Sequence, residues 1–404
     1  MGHKLEEALK ISRRAALFGG AGLGLAACAT PVRGPAVPFA RTRDAKVLGL
    51  PNERFFFPWD GDAFRAEVLS AQEKARRIHG PPRRGQDRTI EMLAISGGGE
   101  NGAFGAGLLN GWTEAGNRPT FSLVTGVSTG ALTAPFAYLG PRYDAALKAV
   151  YTEITPKDVL EQRNILNAAL FEDALADNAP LFRTISKYLN DAMLADIARA
   201  YERGRLLLVG TSDMDAQLPV AWNIGAIAAS GHPKALDLVR RLLLASAAIP
   251  GAFPPVMIDV TLDGKTYQEM HVDGGAFTQL FLYPRSVTRE RRAHLRHGDH
   301  VQPARAYIIR NGRLTPNPAR TERQTFVIAQ RAIASMISAS GFNDVARIRN
   351  TTREDKVDFN LAAIGPDFPD EPKEPFEQAY MRKLYAHAFD QARAGYPWLK
   401  DIPY

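Results

Sequence analysis

The 404-residue chain has a single cysteine, Cys28, which excludes any disulfide within it. It lacks a long apolar run: the uncharged stretch from Ala15 to Ala27 is too short and too glycine-rich for a comfortable membrane span. No Gly-Lys-Ser/Thr directly follows its glycine-rich segment, which argues against a phosphate-binding P-loop. The histidines form no metal-ligating pattern. His3 stands near the start, His294, His297 and His300 fall in a charged, turn-like segment, and His387 is on a helical stretch. No metal and no organic cofactor are expected. Internal repeats and low-complexity tracts are also missing. What is present is an ordinary globular composition, 45% hydrophobic, enough for one large core or two modest ones. The formal net charge is +7, with arginine dense over Arg289–Arg296. Such a face suits anionic lipid headgroups or nucleic acid, but a solvated basic surface is the plainer reading, and no nucleic-acid partner is expected.

The position of Cys28 is informative. Lys4, Arg13 and Arg14 precede the uncharged stretch, the layout of a secretory signal. Leu25-Ala26-Ala27-Cys28 resembles the bacterial lipobox, and Ser12-Arg13-Arg14-Ala15-Ala16-Leu17-Phe18 resembles a twin-arginine export signal. These resemblances imply a signal peptide over residues 1–27, lipidation of Cys28, and a lipid-anchored place in the bacterial cell envelope. Ala29, rather than aspartate, after the cysteine implies the outer membrane. Residues 28–88 read as a Pro- and Arg-rich tether, a helix near Ala63–Ile78 and a linker at Gly80–Gln86.

Regular α/β patterning begins at Thr89. Short apolar runs bounded by turn residues predict buried strands at Thr89–Ile95, Phe121–Thr125, Arg205–Gly210, Val220–Ile224, Tyr267–Val272 and Ala306–Arg310. Helices are predicted at Ala103–Glu114, Thr129–Leu139, Arg142–Glu153, Leu181–Arg203 and Lys234–Ala247, then at Thr325–Arg347 and Pro375–Ala394. The alternation predicts an α/β fold of three layers, a mainly parallel sheet with helices on both faces. Residues 89–315 form its catalytic part, and residues 316–404 a mainly helical portion packed on it.

Three segments carry chemistry. Gly126-Val127-Ser128-Thr129-Gly130 follows an apolar run and has the form of a nucleophile elbow, with glycines allowing a sharp strand-to-helix turn and Ser128 exposed on it. Asp273-Gly274-Gly275 ends another apolar run and sets a carboxylate beside glycines that let a second backbone approach. Gly97-Gly98-Gly99 ends a strand and opens a helix, so its N–H groups can face a developing oxyanion. Gly97, Gly99 and Gly102 also satisfy the dinucleotide spacing. However, the following strand ends in the serine elbow rather than in an acidic residue that would hold a ribose. Ser128 needs a base. His271 lies two residues before Asp273 on the same strand face, a poor place for an imidazole between carboxylate and serine, so Asp273 itself is the simpler base. Apolar residues within Asn164–Leu181, namely Ile165, Leu166, Leu170 and Phe171, suit an acyl channel or a lid, though core packing is their commoner fate.

Glycine loop, G-x-S-x-G and D-G-G, in this order, resemble the patatin-like phospholipases. The similarity runs from about Glu91 to Thr278, includes Thr211–Asp215, Pro219–Trp222 and Ala245–Pro255, and is joined by Ala392–Trp398 near the end. The resemblance implies a lipid acyl hydrolase with Ser128 as nucleophile, Asp273 as base and Gly97, Gly98 and Gly99 as oxyanion donors. Its partner would be a phospholipid or other acyl ester, met at a membrane surface to which the lipidated N-terminus holds the enzyme. Two departures stand out: Asn101 replaces the family's usual basic residue, and Gln279 and Phe281 replace its usual Asn and Pro. Two other readings stay open, a membrane-anchored lipid-binding protein with little activity, and a serine esterase using His271 or His387. The oligomeric state is not legible.

Overall fold

The computed structural model describes residues 33–57, 59–80, 88–159, 161–162, 174, 176–315 and 320–403. The signal segment, Cys28 and the run holding Ile165, Leu166, Leu170 and Phe171 lie outside them. In chain order the main elements are β1 (Arg54–Phe56), α1 (Gly61–His79), β2 (Ile90–Ile95), α2 (Gly102–Glu114), β3 (Leu123–Val127), α3 (Thr129–Leu139), α4 (Asp144–Thr152), α5 (Ala179–Tyr188) and α6 (Asp191–Glu202). Then follow β4 (Leu206–Asp213), β5 (Leu218–Asn223), α7 (Ile224–Ala229), α8 (Ala235–Ser246), β6 (Val256–Leu262), β7 (Lys265–Asp273), α9 (Arg289–His297), β8 (Ala304–Arg310), α10 (Thr325–Glu354), β9 (Asp358–Ala363) and α11 (Gln378–Arg393).

The sheet runs β1-β5-β4-β3-β2-β8-β9, with β7 pairing with both β4 and β6. β9, β8, β2, β3 and β4 are parallel neighbours. β5, β1, β7 and β6 add antiparallel pairings at one side. The apolar runs are buried on both faces. In β2, Leu93 and Ile95 join one core cluster while Met92 and Ala94 join the other, and β4 and β8 divide in the same way. Residues of α2, α3, α4, α8 and α11 pack in the first cluster; α1 and α10 pack in the second. This is the expected three-layer α/β arrangement.

Local differences from the sequence reading have physical causes. The helix expected over Leu181–Arg203 breaks at Asn190, whose side chain accepts from the Met193 N–H at 3.0 Å and caps α6. The His294 segment is helical in α9 rather than a turn. β1, β6 and β9 were not anticipated. Consequently the C-terminal portion is not purely helical, since β9 extends the sheet beside β8 before α11 packs on α2.

Candidate active site

β3 pairs with β4 only as far as Val127 opposite Gly210. The other edge of β4 is held by β5. Beyond Gly210 the edge that β3 vacates is taken by the end of β7, with Asp273 opposite Thr211. The chain therefore leaves the sheet at Ser128 where β7 delivers Asp273. Register alone brings these two residues together.

Ser128 has φ 55° and ψ −126°, a strained conformation for a residue with a side chain. The glycines beside it permit close approach. A Cβ on Gly126 would meet the Gly130 carbonyl oxygen at 2.3 Å, and one on Gly130 would meet that of Ile95 at 2.2 Å. The Ser128 N–H donates to Ser246 Oγ at 3.0 Å, whose own hydroxyl donates to the Gly210 carbonyl at 2.6 Å. Ser246 thus ties the turn to β4.

Asp273 Oδ1 accepts from the Gly275 N–H at 2.7 Å. Oδ2 is buried and has no hydrogen-bond partner of regular geometry. Burial pushes the carboxyl up to about 6, while the Ser128 hydroxyl and the Gly275 N–H pull the other way. Ser212 Oγ donates to the Asp273 carbonyl at 2.9 Å and fixes the strand end.

The glycine loop lies against the serine: a Cβ on Gly97 would stand 3.0 Å from Ser128 Cβ. Gly98, at φ 155°, passes so close to Asn311 that a Cβ would clash with its carbonyl. Asn311 braces the loop, accepting from the Gly105 N–H at 3.0 Å and donating to the Ser96 carbonyl at 2.9 Å. Among the described residues no hydrogen bond occupies the N–H of Gly97, Gly98 or Gly99. The N-termini of α2 and α3 add partial positive charge on the same side. Gln279 donates to the Gly275 carbonyl at 3.2 Å, and its Oε1 borders Gly97, so it bridges the two glycine motifs. Asn101 accepts from the Tyr380 hydroxyl at 2.6 Å. Ser246, Asn311 and Gln279 in these supporting roles were not foreseen. The Ala245–Pro255 block held the first, and nothing local marked the second.

A narrow apolar cavity of about 70 Å³ opens at Ser128, walled by Leu132, Phe136, Ile185, Tyr188, Leu189 and Met193 among others. Leu181, from the segment expected to line an acyl channel, is on its wall.

His271 is fully buried, with Nδ1 3.0 Å from Thr211 Oγ1 and Nε2 3.2 Å from Glu269 Oε2, so neither ring nitrogen is left for a serine. His387 faces Asp367 and the Phe368 ring. Asp213, Glu269 and His271 bring potential ligand atoms within 4.8 Å of one another. The Arg54 guanidinium is already paired with Glu269, however, and a cation there would be repelled. Burial pushes Glu269 up, but Arg54 and His271 outweigh it and hold the group down to about 2. The cluster is an ion-pair network behind β7.

Residues 93–282 match the family described as patatin-like phospholipase. No curated protein matches the chain. Among solved structures it is similar to VipD from Legionella pneumophila, at 11% identity and a TM-score of 0.36, over 78% of this chain and 69% of that one.

Proposed function

Because residues 93–282 match the patatin-like phospholipase family, we propose that the chain is a serine lipid acyl hydrolase working through a Ser128–Asp273 dyad. Asp273 takes the hydroxyl proton as Ser128 attacks the ester carbonyl. The oxyanion forms against the N–H groups of Gly97, Gly98 and Gly99, each such donor being worth roughly 3–4 kcal/mol of barrier. The alcohol departs with the proton, leaving an acyl-enzyme. Water, deprotonated by Asp273, then releases the fatty acid. The acyl chain occupies the cavity bounded by Leu132, Ile185 and Met193. Cys28, lipidated, holds the enzyme at the cell envelope beside its substrate.

The observation that carries this reading is a buried carboxylate with one unpaired oxygen, brought by strand register to a serine on a strained elbow at the mouth of an apolar cavity. A fluorophosphonate probe should label the protein at Ser128. Fatty-acid release from phospholipid vesicles should fall at least about a thousand-fold in both Ser128→Ala and Asp273→Asn. Undiminished turnover in Asp273→Asn would exclude the dyad. An unlabelled protein that still binds vesicles would instead be a lipid-binding module.

A further inference from the structure

We propose that the N-terminal half of α10 is a membrane-docking element that seats the catalytic end of the sheet on a lipid bilayer. α10 runs antiparallel to the strands beside it. Near its middle, the Ser338 carbonyl accepts from Arg310 at 3.3 Å, and Asp344 Oδ2 accepts from the Gln279 N–H at 2.7 Å, both at the catalytic edge. At its far end Asp355 pairs with Arg292. The part ahead of Ser338, from Thr325 to Ile337, is about 20 Å long at about 1.5 Å per residue and extends beyond the catalytic edge.

Ala332–Ala339 are exposed on every side. Met336 is 70% exposed, and Ile328, Ile333 and Ile337 are also exposed. At about 100° per residue these four spread over roughly half the helix circumference, while Arg331, Ser335 and Ser338 lie on the opposite side. A second protein helix would cover one stripe only; a bilayer interface surrounds a broad apolar arc. The charge agrees: between Glu322 and Asp344 stand Arg323 and Arg331 and no acidic residue. Phe277 and Met214, which follow β7 and β4 at the same end, are exposed as well. No helix among the described residues is long and apolar enough to cross a membrane, and α10 lies in the interface rather than through it. Its purpose rests on the hydrolase reading, so docking is measured apart from turnover.

Because Cys28 is the sole cysteine, full-length protein carrying Cys28→Ala, Ser128→Ala and Met336→Cys takes one environment-sensitive fluorophore at position 336. On vesicles of phosphatidylcholine and phosphatidylglycerol its emission should shift to the blue and be quenched by bromolipid. The same label introduced by Ile78→Cys, beside the N-terminal strand ends, should not respond. An unresponsive label at position 336 would overturn the proposal, as would a shift that depends on protein concentration without lipid, the mark of a second copy. In the Ser128 protein, Ile333→Glu with Met336→Glu should lower vesicle hydrolysis at least tenfold and leave a soluble short-chain ester unaffected. Equal loss on both substrates would also overturn it.

Discussion

At the scale of single residues, the chemistry turns on what burial does to Asp273. With its pKa near 6, the carboxyl is protonated in mild acid and cannot accept the serine proton. Turnover of a soluble ester should therefore fall about tenfold per pH unit below 6 and level off above it. The same shift predicts a stability effect of definite sign. Below about pH 4 the group is neutral in both folded and unfolded chains. Between 4 and 6 the unfolded chain releases the proton while the folded one keeps it, so stability falls as pH rises through this window. Asp273→Asn removes that penalty. It should be inactive yet melt higher than the parent at pH 8, by an amount on the order of 3 kcal/mol, and match it near pH 4. Paired melting curves at the two pH values check this; a variant less stable at pH 8 would mean that the carboxylate is held by partners rather than penalised. That Ser128 and Asp273 each close a strand was legible, because apolar run, glycine and polar residue are adjacent in sequence. The roles of Ser246 and Asn311 were not legible. They depend on which backbone groups the finished sheet leaves open at a distant position.

At the scale of elements, α2 and α11 pack closely through glycine. A Cβ on Gly107 would lie 2.2 Å from the Tyr385 carbonyl oxygen, and one on Gly111 equally near that of Phe389. Alanine is the better helix former by about 1 kcal/mol, but overpacking a tight interface typically costs about 1–3 kcal/mol. The steric effect wins where backbone rather than a flexible side chain is met. Gly107→Ala should lower the melting temperature although it raises helix propensity, and a variant that melts higher would show that α11 can move aside. The strands that escaped notice have their own explanations. β6 and β7 join at Asp263-Gly264, both at positive φ, a hairpin turn whose Asp-Gly signal was present in the sequence and unused. β9 escaped because Asp358 and Asn360 interrupt its apolar pattern. Lys400 neutralises that polarity from the C-terminal end, 2.7 Å from each side chain.

At the scale of the whole molecule, the cavity at Ser128 belongs to no single motif. α3 supplies Leu132 and Phe136, α5 Ile185 and Tyr188, α6 Met193 and α8 Leu243, so its shape exists only once the helical layer has assembled on the sheet. For that reason the three-layer fold could be read from alternating patterns, whereas the binding space could not. If the cavity holds the acyl chain, its depth sets which chains fit. Ile185 is buried on its wall. Ile185→Trp should fill part of the space while leaving Ser128 and Asp273 untouched. Each methylene that no longer finds apolar contact weakens transition-state binding by about 1 kcal/mol or more. Across a series of p-nitrophenyl esters, kcat/KM for long chains should then drop by tenfold or more relative to short ones, with the melting temperature recorded to separate blockage from unfolding. A uniform loss across the series in a folded variant would place the acyl chain elsewhere.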